Sequence, residues 1–239
     1  MWGFKKPTQE QISDLLIDQQ QSNFTYPLVK GTLDYQTKPE FQRDERYKDY
    51  NIDQHRIKLG VGPETFRKAV DALCSWKPFA LDWVELCYPC PLEGTYQQPY
   101  ILTILVGAVV AICAYALGVW TVSACKIAYI VNEQDESHPI KRFGFGYGTL
   151  GKTSQKKQPN LCAEKHVAKG EERFIVEWNT ATNEVFYEIL AFSQPGTYYT
   201  KLGYPVTRWV QDSFGVASMA AVSNFVNGTT DAHAAVIDL

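Results

Sequence analysis

Apolar and polar positions along this chain recur on two periods, and the change from one to the other marks out the predicted elements. Residues 1 to about 22 read as a polar extension with one short amphipathic helix around Ile12, Leu15 and Leu16. Residues 36 to 56 are polar and turn-rich, so neither segment is expected to build a core. After Gly60-Val61-Gly62-Pro63, the residues Phe66, Ala69, Val70 and Leu73 fall at helical spacing. Pro63 suits the first helical position, and the helix is expected to stop before Pro78. Strand-sized runs come next: Phe79 to Leu86, two halves of an uncharged stretch, Cys125 to Asn132, Arg142 to Leu150, Glu172 to Trp178 and Val185 to Ser193. In one of them Phe174, Val176 and Trp178 alternate with Arg173, Ile175 and Glu177, a mostly half-buried strand pattern. Beyond Pro195-Gly196 the residues Val206, Trp209, Val210, Ser213, Ala217, Ala220, Ala221 and Phe225 recur every three or four positions. They predict one long amphipathic helix from Leu202, ended by Gly228.

The uncharged stretch runs for 32 residues, from Gly94 to Cys125, and admits two readings. Tyr100 through Trp120 is long enough to cross a bilayer as a helix. It is also rich in β-branched residues (Ile101, Ile104, Val106, Val109, Val110, Ile112, Val119), and Gly107 and Gly118 divide it into strand-sized pieces. No Lys or Arg cluster flanks it closely enough to orient a spanning helix. The residue mix favours two buried strands joined by a bend, within a water-soluble body.

A short early helix, six or seven antiparallel strands and a long closing helix make an α+β arrangement in which a curved sheet wraps a helix. The helix-grip, or START-like, fold of lipid-transfer and polyketide-cyclase-like proteins has that order. The expected organisation is an extension over residues 1–22, a domain over 23–226 with its core from about 56, and a tail over 227–239. A length of 239 residues and a hydrophobic share of 45% suffice for one sizeable core. The net charge of -3 gives no electrostatic footprint for nucleic acid. The N-terminus lacks an apolar signal-peptide core, so the expected location is cytoplasmic or organelle-associated and not secreted. Six scattered cysteines form no disulfide framework, and the sequons at Asn23 and Asn227 carry little weight without secretion.

Four patterns invite chemistry. Gly146 through Thr153 matches GxxxxGK[ST], but residues 154–160 show no apolar helical periodicity and include Pro159, so the phosphate-cradling context is missing. Cys87-Tyr-Pro-Cys90 has the gap of a redox pair or half a zinc site. The histidines at 55, 138, 166 and 233 supply no paired ligand spacing, and Pro89 and Pro91 make the segment a turn. Glu171, Glu172 and Arg173 are suited to acid, base or anion-clamp roles at a barrel mouth, or equally to a solvated strand start. Adjacent strand residues point to opposite faces, so both glutamates cannot enter one cavity. Lys152, Lys156, Lys157, Lys165 and Lys169 make a basic loop that reads as a solvated segment or as a contact for anionic lipid.

The segments FTYPLVKGT (24–32), RIKLGVGPETFRKAVDALCSWKPF (56–79), CKIAYIVNE (125–133), FGFGYGTL (143–150), GEERFIVEW (170–178) and EILAFSQP (188–195) resemble those of Uncharacterised Protein Family 0548, known in bacteria and plants. The resemblance covers roughly residues 23 to 225 and rests chiefly on the ordered YGTL, GEERF and AFS-x-P blocks. It implies fold and domain extent, with a helix-grip assignment, and no established activity. It also favours strands over a membrane helix, because similar proteins carry polar and charged residues before CKIAYIVNE. The chain departs from the pattern in its more apolar uncharged run and in the insertion GKTSQKKQPNLCAEKHVAK.

These readings lead first to a non-enzymatic domain that holds a lipid or other apolar small molecule in a helix-grip cavity, with no metal or cofactor. The aromatic residues Trp76, Trp83, Tyr129, Tyr147, Trp178, Tyr187 and Trp209 are mostly core. Tyr129, Tyr147, Tyr187, Ser193, Arg208 and Glu171 are the expected pocket residues, because a few polar groups among aromatics suit an apolar ligand. A second reading is an accessory subunit of a larger, membrane-associated assembly, tethered through residues 1–55 and 227–239 and touching lipid through the basic loop 152–169. A third is an enzyme acting on a hydrophobic substrate in the same cavity, with Tyr147 and Glu171 as its candidates.

Overall fold

From Asn51 onward the period-two segments pair into one antiparallel sheet. The computed structural model describes residues 2–37, 44–87, 104–135, 137–151, 168–195 and 204–229. Its strands are β1 (Trp2–Gly3), β2 (Asn51–Val61), β3 (Val84–Cys87), β4 (Val109–Ala116), β5 (Val119–Glu133), β6 (Ile140–Thr149), β7 (Ala168–Asn179) and β8 (Glu184–Pro195). The helices are α1 (Gln9–Gln19), α2 (Gly31–Thr37), α3 (Gly62–Cys74) and α4 (Tyr204–Asn227). The main sheet runs β2-β8-β7-β6-β5-β4-β3, and the short β1 pairs with β5. Bulges at Lys58/Gly60 in β2 and at Ile127/Tyr129 in β5 interrupt the register, as suits a bent sheet. Seven antiparallel strands packed on a long C-terminal helix make this an α+β helix-grip fold.

Sequence and structure part at three elements. The first long strand, β2, begins at Asn51, inside the segment read as polar and turn-rich and ahead of the expected core start near residue 56. Its polar residues are tolerated because, among the described residues, it is an edge strand paired with β8 alone. The run from Phe79 to Leu86 is strand only from Val84, with Lys77–Phe79 forming a turn of 3₁₀ helix. In the uncharged stretch β4 and β5 form the expected pair of strands, turning at Leu117 and Gly118, both at positive φ, but the second half and Cys125 to Asn132, expected as separate strands, are one strand, β5. Residues 88–103 lie outside the described residues. Among the described residues no helix is long and apolar enough to cross a membrane.

The concave face holds the main core. Phe66, Ala69, Ala72 and Leu73 of α3 pack with Phe145, Phe174, Val176, Tyr187 and Ile189 of the sheet. Helix α4 closes this face and ends at Gly228, which takes a positive φ as expected for a helix stop. Its buried side is Gly215, Ser218, Met219, Val222 and Val226. Trp209 and Phe225, expected on the core side, are 41% and 40% exposed. The helix is apolar nearly all round, so periodicity alone did not choose its face. Small residues did, because they let α4 approach the sheet: Gly215 lies against the His55 ring, and the Ser218 and Tyr187 hydroxyls meet at 3.0 Å.

The convex face is covered rather than solvated, which corrects the expectation that residues 1 to about 22 and 36 to 56 build no core. Thr8 and Gln11 form a capping box on α1, and Ile12 and Leu16 pack on Val109, Ala111, Val122 and Ala124. Tyr26, Leu28 and Tyr47 pack on Phe192, and Phe24 and Leu33 reach the cluster of Ala128, Tyr129, Val131 and Ile175. The glycines of GFGYGTL find their reason here. A Cβ on Gly146 would overlap the Tyr129 ring and one on Gly148 the Tyr26 hydroxyl, so two tyrosines lie flat against β6 only because those positions are bare. Of the match to a phosphate loop, Gly146 to Thr149 end β6, Leu150 and Gly151 follow it, and Lys152 and Thr153 lie beyond the described residues.

Candidate functional site

The strand GEERF settles how its charged residues are used. Glu171 and Arg173 point to the convex face and are buried beneath α2, so the solvated strand start does not hold for them. The Glu171 carboxylate accepts from Tyr26 Oη at 2.8 Å, the Lys30 and Thr32 amides at 2.7 and 2.9 Å, and Thr32 Oγ1 at 2.5 Å. It thereby caps the first turn of α2. Burial pushes its carboxyl pKa up, and these four donors pull against that. Arg173 donates to the Thr32 carbonyl at 3.0 Å and to Glu188, and Arg56 bridges Glu188 and Glu177 at 3.0 and 2.8 Å. This network fastens the N-terminal segment to the sheet.

Glu172 points the other way. It is the register partner of Tyr147 on β6, and the Tyr147 hydroxyl donates to its Oε2. Both side chains line a cavity of about 450 Å³ between the concave face, the first half of α4 and the β4–β5 hairpin. The walls are mainly apolar: Phe79, Trp83, Ile112, Val119, Ile189 and Phe214. Polar groups gather from β2, β8 and α4. Asp53 takes a two-pronged contact from Arg208, each arm 2.5 Å, and Gln211 donates to Ser193 Oγ at 3.2 Å. His55 Nε2 stands 3.7 Å from Asp212. Burial raises the Glu172 carboxyl to about 7, with the Asp53 charge adding to the rise and the Tyr147 hydrogen bond opposing it. Burial likewise drives the Tyr147 phenol well above its ordinary range.

Of the expected pocket residues, Tyr147 and Ser193 line this cavity. Glu171 borders it along β7 but sends its carboxylate to the other face. Tyr129 also faces α2, its hydroxyl 2.5 Å from Thr32 Oγ1. Tyr187 is fully buried against α4, outside the lining, and Arg208 contributes by holding Asp53. Asp53, His55 and Gln211 were not anticipated as pocket residues, and Glu172, weighed with Glu171 for the barrel mouth, was passed over in favour of Glu171. The signal for Glu172 was available, since it shares strand parity with Phe174, Val176 and Trp178. Cys87 sits with its sulfur 3.5 Å from that of Cys113, and Cys90 lies outside the described residues. No cluster of three metal-ligating side chains occurs among the described residues.

A family model described as a domain of unknown function, DUF1990, matches residues 34–221. The chain belongs to that family. A UPF0548 protein of Dictyostelium discoideum is 38% identical to this DUF1990 chain over 224 residues, covering 91% of the chain and 92% of the relative. A UPF0548 protein of Arabidopsis thaliana is 29% identical over 178 residues, covering 74% of each. The DUF1990 chain also resembles the solved structure of a hypothetical protein from Helicobacter pylori, with a TM-score of 0.42 and 11% identity over 75% of this chain and 90% of that one. The family blocks read from the sequence fall on β6, β7 and β8, the strands that carry Tyr147, Glu172 and Ser193.

Proposed function

We propose that this DUF1990 protein binds a lipid or other apolar small molecule in the cavity beneath α4, without acting on it chemically. The observation that carries the reading is the cavity itself: about 450 Å³, walled by aromatic and aliphatic side chains, with a few polar groups converging on one side. Small-molecule pockets occupy roughly 300–1,000 Å³ and have that mixture of wall and anchor. Each square ångström of apolar ligand surface removed from water contributes about 25 cal/mol, so the walls supply affinity and the polar groups set orientation. Assembly through residues 1–55 draws no support from these contacts, because Ile12, Leu16, Tyr26, Leu28 and Tyr47 are packed against their own sheet.

Native mass spectrometry of protein purified from its source tests the proposal. The expected spectrum shows a bound small molecule that organic extraction releases. Ala191→Phe places a ring in the cavity and should abolish that adduct while leaving the melting temperature unchanged or higher. A protein that never carries a ligand, and that takes up no neutral apolar fluorophore, overturns the reading.

A further inference from the structure

We propose that the ligand of this cavity carries a basic nitrogen, and that its ammonium docks on the free oxygen of Glu172. This rests on the binding reading above and narrows the ligand class.

Among the described residues, half-buried Glu172 lacks the compensation that other buried and half-buried carboxylates have built in. Glu171 has its four donors, Glu177 has Arg56 and Arg142, Glu188 has Arg56 and Arg173, and Asp53 has Arg208. Glu172 has one phenol on Oε2, and among the described residues Oε1 accepts no hydrogen bond. The groups around it supply no cation for it. Tyr147 comes from β6, Tyr187 from β8, Cys125 from β5, and Asp53 and His55 from β2. From α4, Arg208 is turned to Asp53, and Asp212 stands beside His55. No lysine or arginine is among the described residues that line the cavity.

A carboxylate held among apolar walls without a counter-ion is costly, so in the empty protein burial raises its pKa to about 7. A ligand ammonium would replace the carboxyl proton. It would add a charge-assisted hydrogen bond to Oε1, and Asp53 would strengthen the negative potential. The apolar walls require that the nitrogen sit on a hydrocarbon or aromatic body. An apolar acid would meet the Glu172 carboxyl with no lysine or arginine among the described lining residues to receive its charge.

Displacement of diphenylhexatriene by octylamine, octanol and octanoate tests this on the full chain. At about pH 8 octylamine should compete about tenfold better than octanol, the gain of one charge-assisted bond, with octanoate weakest. The amine advantage should shrink at about pH 6, as Glu172 takes up its proton, and vanish in Glu172→Gln. Equal or better competition by octanol at about pH 8 overturns the proposal, as does an amine advantage that persists in a folded Glu172→Gln. If that variant does not fold, the wild-type amine-to-alcohol ratio across pH decides alone. Failure of diphenylhexatriene to bind at all strikes the cavity reading itself, a separate outcome.

Discussion

Glu171 and Glu172 are neighbours in sequence and stand on opposite faces of the sheet, one capping helix α2 and the other facing the cavity. Strand geometry dictates the division, and the surroundings give the two identical side chains different work. Glu171 is satisfied by four donors and serves stability, whereas Glu172, among the described residues, accepts a hydrogen bond from Tyr147 alone and lines the cavity.

Glu172 should make the protein less stable as pH rises. Its folded value is about 7, against about 4.3 in an unfolded chain, so the native state binds more protons between those values and stability falls across that window. Urea melts at about pH 5 and pH 8.5 should show Glu172→Gln gaining roughly 2 kcal/mol over the wild type at the higher pH and little at the lower. An equal difference at both would show that the group is not titrating as described.

Removing Glu171 should be far more damaging. Glu171→Ala strands the Lys30 and Thr32 amides and the Tyr26 hydroxyl in a buried setting, at a cost of about 3 kcal/mol or more. Thr8→Ala at the exposed cap of α1 should cost only about 1 kcal/mol. Hydrogen exchange provides the local readout: the amides of α2 should exchange quickly in Glu171→Ala, and unchanged protection there would refute the capping role.

Gly148→Ala drives a methyl into the Tyr26 hydroxyl and should cost roughly 1–3 kcal/mol. Combined with Tyr26→Ala, the clash disappears, so the double variant should be more stable than the sum of the two single losses predicts. Simple additivity in thermal melts would place Tyr26 elsewhere.

The two sides of α4 should respond differently to truncation. Val222 is fully buried, and Val222→Ala should cost about 2 kcal/mol, whereas Val216, 59% exposed, should tolerate alanine within about 0.5 kcal/mol. Similar losses at both sites in denaturant titrations would reverse the assignment of the buried face.

Local rules explain what was readable beforehand. Alternation in Phe174, Val176 and Trp178 marked β7, Pro63 marked the start of α3, and Gly228 marked the end of α4, because each depends on backbone geometry a few residues long. The β-branched content of the uncharged stretch likewise pointed to strands, and Gly118 marked the hairpin turn. β2 went unseen because an edge strand can carry Asn51, Asp53, Gln54 and Arg56 without the apolar alternation that reveals a strand. Tyr129 was assigned to the pocket because a tyrosine in a strand carries no mark of which face it will occupy, and Tyr187 because nothing local shows that α4 covers it on the concave face.

Taken alone, the sequence determined the order of elements, the helix stops and the opposed directions of Glu171 and Glu172, since these follow from steric limits within one short stretch of chain. Tertiary structure alone decided that the N-terminal segment covers the convex face and that α4 turns Gly215 and Ser218 inward. Those choices rest on contacts between residues more than a hundred positions apart, such as Thr32 with Glu171 and Asp53 with Arg208, which no local pattern encodes.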